Sequence, residues 1–305
     1  MELRHLRYFL AVAEELHFAR AAERLGIAPP TLSVQIQQIE RQMQVQLFVR
    51  TKRSVALTAA GEVFAEQARA VLAQFDQALN SGRRAGRGEL GRVEIGYVGS
   101  AVFGGVLQRQ VSAFRHDWPD TDVQVREWEM GHLSSALEQG QVDIAFVRLP
   151  LALAPSLQSH VLLRDRFCLA LAADHPLSAG TVPIRARALA GEAFVVPEQE
   201  LGSREIYRRG GFTPLVERRP GSLLAVLAEV SLGAGVAVVP GVVTGVIDLP
   251  NVVYRPLAGA AIGSEVAAVF RRFERSPTVR NMIAAIGKSA PLAVASVVGQ
   301  ARQVT

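Results

Sequence analysis

Polar side chains gather on one outward face of a short segment near the N terminus. Thr31 and Ser33 carry hydroxyl groups, Gln37 carries an amide, and Pro30 and Val34 stand among them. Hydroxyl and amide groups hydrogen-bond phosphates and base edges, and valine packs against the methyl group of thymine. These residue types predict contacts in the major groove of double-stranded DNA.

The apolar residues around that face predict a helix-turn-helix over residues 18–43. The first helix turns small residues inward, and Gly26 permits the tight turn that follows it. The second helix starts near Pro30 and places apolar residues on one face. Those inward residues are Leu32, Ile36, Ile39 and Met43. A second helix of this kind lies in the major groove.

A basic hairpin follows the two helices. Residues 47–57 are predicted to form two extended pieces around a tip that contains Arg50, Lys52 and Arg53. The pattern predicts a wing whose cations contact the phosphate backbone or the minor groove, and a solvated basic loop is the alternative. Residues 1–87 carry 12 Lys and Arg against 8 Asp and Glu, so most of the chain's net charge of +5 lies there. That distribution favours a nucleic-acid partner.

A long helix is predicted from an N-cap at Thr58 to about Ala85. A solitary helix with an apolar stripe needs a partner, so we expect a homodimer through this helix. The stripe consists of Phe64, Ala68, Val71, Phe75 and Leu79. Residues 80–88, rich in glycine and arginine, are predicted to form a hinge at the main domain boundary.

Beyond Gly91, strand patterns alternate with helical patterns. Strands are predicted near residues 93–97, 123–125 and 142–147, and the same pattern returns from Phe167. This alternation predicts a mainly parallel sheet with helices on both faces, arranged as two α/β lobes around a cleft. Cys168 is predicted to be a buried strand thiol. Later strands are expected at residues 193–196, 215–217 and 235–239.

The cleft predicts a site for a small carboxylate effector. In open α/β sheets, ligands bind beyond the carboxyl ends of the strands, where N–H groups, hydroxyls and cations converge. Ser100 could instead be an N-cap, His132 an exposed turn residue, and Arg148 the partner of a surface carboxylate. The candidate residues are Gly99, Ser100, His132, Arg148, Pro197, Gly202 and Ser203.

Three motifs in the first 61 residues resemble the signature of the LysR-type transcriptional regulators. They are Ala-Ala-Glu-Arg-Leu-Gly-Ile-Ala-Pro-Pro-Thr-Leu-Ser-Val-Gln-Ile at 21–36, Leu-Phe-Val-Arg at 47–50 and Leu-Thr-Ala-Ala-Gly at 57–61. Residues 92–100 and 129–148 resemble, more narrowly, the branch that controls aromatic-compound breakdown through catechol and muconate. The chain departs from the family at Pro29 and Val34, where polar base-reading residues are frequent.

The resemblance covers essentially the whole chain and implies its fold class. That fold is α/β: an N-terminal winged helix-turn-helix, a long linker helix, and a two-lobed effector domain like the periplasmic binding proteins. The expected limits are 1–58 for the DNA-binding domain, 59–87 for the linker and dimerisation helix, and 88–305 for the effector-binding domain. Lobe I would comprise residues 88–162 and 268–305, and lobe II residues 163–267.

The resemblance also implies partners. It implies an activator that binds promoter DNA as a homotetramer, a dimer of dimers, acts on RNA polymerase, and responds to an aromatic or dicarboxylic acid. An enzyme or a solute-binding protein that acts on a small carboxylate is the alternative. The sequence shows no catalytic motif, metal-ligand spacing or cofactor motif, and its single cysteine excludes an intrachain disulfide. With no apolar leader or membrane span, a cytoplasmic location is expected.

Overall fold

The computed structural model describes residues 1–51, 54–215 and 217–293. The predictions for Lys52, Arg53 and the tail from residue 294 onward fall outside the described residues. The chain divides into two compact units, Met1–Arg84 and Ala85–Thr305. Each unit contains its own buried apolar core.

The first unit opens with three helices. Helix α2 ends at Gly26, whose φ of 66° is left-handed and is accessible to glycine without strain. Proline occupies the first turn of α3, where backbone N–H groups have no helical acceptor and none is lost. The predicted helix-turn-helix is confirmed. The helices are α1 (Leu3–Glu15), α2 (Phe18–Leu25) and α3 (Pro29–Met43).

Phenylalanine rings join these helices to the elements that follow. The Phe9 ring centroid lies 5.2 Å from that of Phe48 and 4.8 Å from that of Phe64. Leu32, Ile36 and Ile39 of α3 are buried around them, as their spacing predicted.

The wing and the long helix complete the first unit. Strands β1 (Phe48–Arg50) and β2 (Val55–Leu57) pair antiparallel, as the wing prediction required. The Thr58 hydroxyl accepts a hydrogen bond from the Gly61 N–H at the start of α4 (Ala59–Gly86). Residues 80–86 continue this helix to within one residue of its predicted end near Ala85, so most of the predicted hinge at 80–88 is helical. The division between the two units, at Arg84 and Ala85, falls inside that segment. A helix tolerates the glycines here, at a cost of only about 1 kcal/mol each relative to alanine.

The apolar stripe of α4 is partly packed in the core and partly exposed. Phe64 and Ala68 pack into the core of this same unit, so they are not available to a second helix. Val71 and Leu79, further along, remain exposed.

The second unit begins with a parallel βαβ arrangement. Strand β3 pairs parallel with β4 on one side and with β5 on the other. The short helix α5 and the longer α6 connect β3 to β4, and α7 connects β4 to β5. Their bounds are β3 (Gly91–Tyr97), α5 (Gly99–Val102), α6 (Val106–Asp117), β4 (Thr121–Glu127), α7 (Met130–Glu138) and β5 (Ile144–Leu149).

Two long strands cross between the lobes and run antiparallel to their neighbours. Strand β11 (Gly263–Arg271) pairs antiparallel with both β5 and β6 (Leu157–Ala172). The prediction of a mainly parallel sheet is thus correct for β3, β4 and β5 and wrong for the pairs that β11 forms with β5 and with β6. Strand β6 also begins ten residues before the predicted Phe167, because its first part carries polar residues that mask the strand pattern.

The second lobe surrounds the far end of β6. Strands β9 and β10 pair antiparallel with β6, and β7 pairs parallel with β8. Strand β12 pairs parallel with the middle of β6, at Leu163 and Arg164. The elements are β7 (Phe194–Val195), α8 (Leu201–Gly210), β8 (Glu217–Arg218), α9 (Leu223–Ser231), β9 (Ala237–Pro240), β10 (Val252–Arg255), α10 (Pro277–Gly287) and β12 (Leu292–Ala293). Within the described ranges, none of the helices is both long and apolar enough to cross a membrane.

Cys168 lies on β6 and is buried, as predicted. Burial raises the pKa of its thiol well above the usual range, because the thiolate would lose its hydration. We predict that Cys168 resists iodoacetamide at pH 8 in the native protein and is alkylated once the protein is unfolded in urea. Intact-mass spectrometry checks this, and complete labelling within minutes in native buffer would contradict the prediction.

Candidate DNA interface and ligand cavity

The outward face of α3 is open to solvent. Pro30, Thr31, Val34 and Gln37 are exposed and Ser33 is half-buried, while the opposite face of the helix fills the core. Val34 is 52% exposed, so its methyl groups are accessible to a partner. All five candidate residues thus lie on the side of α3 that faces away from the core.

One buried carboxylate ties this helix to the wing. Glu40 Oε1 accepts hydrogen bonds from the Leu47 N–H at 2.9 Å and the Phe48 N–H at 3.1 Å. Its other oxygen, Oε2, lies 3.3 Å from the Arg50 guanidinium. The Glu40 side chain is only 4% exposed, so these three donors replace its hydration. The orientation of the wing on α3 depends on this carboxylate, for which sequence reasoning assigned no role.

Arg50 has a structural role in this network. Besides its ion pair with Glu40, its guanidinium carbon lies 4.5 Å from the centroid of the Phe18 ring. The side chain keeps 30% of its surface exposed, which leaves part of the fork available to a phosphate. The two remaining cations of the predicted wing, Lys52 and Arg53, are beyond the described residues.

We predict that Glu40→Gln loosens the wing. The amide oxygen can replace one acceptor but loses the charge opposite Arg50, at a cost of about 1–3 kcal/mol. Amide hydrogen exchange of peptides covering residues 45–57 should become at least about tenfold faster. Glu23→Gln, an exposed neutralisation on α2, is the control and should leave that exchange unchanged. Equal exchange in Glu40→Gln and the wild type would refute the role of this carboxylate.

In the second unit, a cavity of about 480 Å³ lies where the strand ends of one lobe meet the loops of the other. The first lobe contributes residues 98–100, residues 127–130 and Arg148. The second contributes Phe167, residues 197–199, residues 221–223 and Pro240. Its volume falls in the usual range for small-ligand sites, and its walls combine apolar side chains with a few polar groups.

Four of the seven predicted effector residues line this cavity and three do not. Gly99, Ser100, Arg148 and Pro197 line it. His132 has a side chain 70% exposed and Nδ1 3.3 Å from Glu129 Oε2. A Cβ at Gly202 would lie 2.7 Å from atoms of both Phe167 and Val238, so this glycine permits close packing.

Ser203 is 1% exposed and lies beside a separate shallow depression that Tyr207 also lines.

Sequence reasoning missed several residues that line the main cavity. The charged and amide-bearing ones are Glu127, Glu129, Glu198 and Gln199, and the apolar ones include Trp128, Phe167 and Leu223. The available signal was their position just after a predicted strand or just before a predicted helix.

Arg148 joins the cavity to the strands beneath it. Its guanidinium donates to Ser264 Oγ at 2.6 Å and to the Ser100 carbonyl at 3.0 Å, and Nη1 lies 3.8 Å from Asp165 Oδ2. The residue is fully buried. Burial lowers the pKa of Arg148 to about 10, although the Asp165 charge opposes that shift.

Asp165 supplies the countercharge from strand β6. Its Oδ1 accepts from the Arg166 N–H at 2.7 Å and its Oδ2 from the Val242 N–H at 3.1 Å. Burial raises the pKa of this carboxyl, and the two N–H donors and the arginines oppose the rise. Because the Arg148 guanidinium and the Asp165 side chain are at most 1% exposed, each charge depends on the other.

We predict that Asp165→Asn destabilises the second unit by about 3–5 kcal/mol, because the Arg148 charge stays buried without its partner. The double variant Arg148→Met with Asp165→Asn should be more stable than Asp165→Asn alone, since it removes that charge. Both tryptophans of the chain, Trp118 and Trp128, belong to this unit, so urea unfolding followed by tryptophan fluorescence reports on it. A loss below about 1 kcal/mol in Asp165→Asn would contradict the coupling.

A candidate metal-binding site is absent from the part of the chain that the structure describes. No cluster of three or more His, Cys, Asp or Glu side chains there is arranged to hold a metal ion. The site therefore consists of a solvent-exposed polar helix face in one unit and a ligand cavity over a buried ion pair in the other.

Comparison with known proteins extends this description. The family model "Bacterial regulatory helix-turn-helix protein, lysR family" matches residues 3–62, and "LysR substrate binding domain" matches residues 86–291. The uncharacterized HTH-type transcriptional regulator YnfL of Escherichia coli K12 is 37% identical over 92% of this chain and 96% of its own. The HTH-type transcriptional regulator CatR of Pseudomonas putida is 33% identical over 95% of this chain and 100% of its own.

Among solved structures, full-length CbnR in complex with its target DNA is similar to this chain. The TM-score is 0.79 at 25% sequence identity, and the match covers 95% of this chain and 99% of CbnR.

Proposed function

This chain belongs to the LysR family of bacterial transcriptional regulators, and from that premise we propose how its parts divide the work. The chain is a DNA-binding regulator with an effector-binding domain, and it is not an enzyme. We propose functional limits of 1–58 for DNA binding, 59–87 for linkage and 88–305 for effector binding. The observation that carries the proposal is the exposed polar face of α3 in one unit together with the cavity over Arg148 in the other.

Promoter recognition is assigned to α3 and the wing. Thr31, Ser33 and Gln37 supply hydrogen bonds to phosphates or base edges, and Val34 packs on a thymine methyl. Pro30 holds the start of the helix against the groove. Arg50, Lys52 and Arg53 contact the backbone beside the groove, with Arg50 contributing only the part of its fork that Glu40 leaves free.

Dimer formation is assigned to α4. Val63, Val71 and Leu79 are exposed by 64%, 48% and 43%, and a long exposed helix with such residues is stabilised by a second copy of itself. The DNA-binding domains of the two protomers then contact successive major grooves. We extend this arrangement to a homotetramer, a dimer of dimers, that acts on RNA polymerase as an activator in the cytoplasm.

Effector binding is assigned to the cavity, with a small organic acid as the ligand. The Ser100 hydroxyl and the buried Arg148 are the groups there that suit a carboxylate. A ligand held between the two lobes changes the angle between them, and that change alters the spacing of the DNA-binding heads. His132, Gly202 and Ser203 act outside the lining in this proposal: His132 at the rim, the other two through packing of α8.

We predict salt-sensitive binding of the purified protein to the DNA upstream of its own gene in a gel-shift titration. Arg53→Ala should lower the slope of log K against log salt by about one, because one fewer counterion is released. Arg187→Ala, an exposed arginine of the second unit, is the matched control and should leave the slope unchanged. An unaltered slope in Arg53→Ala removes that residue from the interface, and binding insensitive to salt argues against the DNA-binding assignment itself.

We also predict that Ser100→Ala weakens the effector response while DNA affinity stays near the wild-type value. The variant removes a cavity hydroxyl but keeps the Ser100 carbonyl that Arg148 uses, so the fold is retained. Gel shifts over an effector titration measure both quantities. An identical effector midpoint in the variant and the wild type would place the effector elsewhere.

A further inference from the structure

The cavity has an unexpected charge balance for a site that binds an acid. Three carboxylates line it, those of Glu127, Glu129 and Glu198, against the single guanidinium of Arg148. That guanidinium is already paired with Asp165. Arg126, whose guanidinium stacks 5.3 Å from the Trp128 ring centroid, is not among the lining residues. The three carboxylates are exposed at the cavity wall, so they oppose a ligand that carries only negative charge and favour one that also carries a positive charge.

Glu127 lines the cavity beside the backbone of Gly99. A Cβ placed on Gly99 would lie 2.5 Å from Glu127 Oε1, so the carboxylate lies directly against the backbone of Gly99. No cation of the described chain forms an ion pair with it. This carboxylate is free to accept hydrogen bonds from a ligand, and a cationic donor suits it best.

Gln199 adds a second, independent acceptor. Its Nε2 donates to the Leu149 carbonyl at 3.2 Å, which fixes the amide orientation because a carbonyl accepts only from the nitrogen. Its Oε1 is then buried in the cavity wall with no hydrogen-bond partner among the described residues. Buried acceptors without a partner are rare and costly, so a ligand N–H or O–H at this position would be stabilising.

Arg148 provides the complementary donor. The residue is fully buried, two of its nitrogens are engaged with Ser264 and Ser100, and its Nε–H has no hydrogen-bond partner within the described ranges. The two residues that carry this unsatisfied donor and the unsatisfied acceptor, Arg148 and Gln199, thus line the same cavity.

We propose that the effector is a small zwitterion, a carboxylic acid that also carries an ammonium group. The carboxylate faces Arg148 and Ser100, and the ammonium group faces Glu127 and Gln199. The apolar walls at Trp128, Phe167 and Leu223 receive the rest of the molecule. This assignment rests on the proposed function, since it names the class of acid that the same cavity selects.

The test is isothermal titration of the full-length protein with matched probes on one skeleton. The probes are L-phenylalanine, 3-phenylpropanoate, which lacks the ammonium group, and 2-phenylethylamine, which lacks the carboxylate; cis,cis-muconate serves as a diacid. We expect L-phenylalanine to bind at least about tenfold more tightly than each of the others. Glu127→Gln should reduce that preference over 3-phenylpropanoate to about threefold or less.

Glu265→Gln is the control, because it removes the same charge from a half-buried residue that pairs with Arg164 outside the cavity lining, and it should preserve the preference. Tighter binding of 3-phenylpropanoate or muconate than of L-phenylalanine would overturn the proposal of a zwitterionic effector. If Ser100→Ala weakens that binding, the assignment of an acid effector to this cavity still holds. Acids that bind wild type and Ser100→Ala equally would instead overturn the cavity assignment itself. Absence of binding by all four probes at millimolar concentration also overturns the proposal of a zwitterionic effector.

Discussion

The buried ion pair between Arg148 and Asp165 joins the parts of the second unit on which the cavity depends. Arg148 ends strand β5, Asp165 lies on the crossing strand β6, and Ser264 on β11 accepts a hydrogen bond from Arg148. The Val242 N–H from the second lobe also reaches Asp165. Two charges taken out of water are stabilised by each other and by the hydrogen bonds that replace most of their hydration. That requirement fixes the relative position of the strand end and both crossing strands, directly beneath the cavity floor.

The first unit uses the same principle with a single carboxylate. Glu40 binds two backbone N–H groups and Arg50, and so connects α3 to wing residues that lie seven to ten positions further along the chain. In both units a buried charge holds the functional surface, while apolar packing supplies the bulk of the stability. A polar network is suited to this because its geometry is directional, whereas apolar contacts tolerate sliding.

Local sequence patterns predicted the elements whose signal is complete within one segment. The helix-turn-helix follows from one apolar face and one glycine, and the wing and the N-cap at Thr58 follow from their immediate neighbours. The start of β6 was missed because residues 157–166 include polar side chains between the apolar ones. These polar side chains interrupt the apolar pattern of a buried strand. Most of the predicted hinge at 80–88 is helical because α4 continues through Gly82 to Gly86. Glu127 and Gln199 follow predicted strands, but that position alone does not show that the two residues line one cavity, since the packing of the lobes brings them together.

Regulation by an effector requires coupling between the cavity and the DNA-binding surface, which lie in different units of the chain. Coupling of two binding equilibria is reciprocal: effector and DNA must change each other's affinity by the same factor. The most direct measurement is therefore the dissociation constant of the effector, by titration calorimetry, with and without saturating promoter DNA. The account predicts a change of at least about fivefold, matched by the change in DNA affinity that the effector causes. An effector affinity unaltered by bound DNA would contradict it.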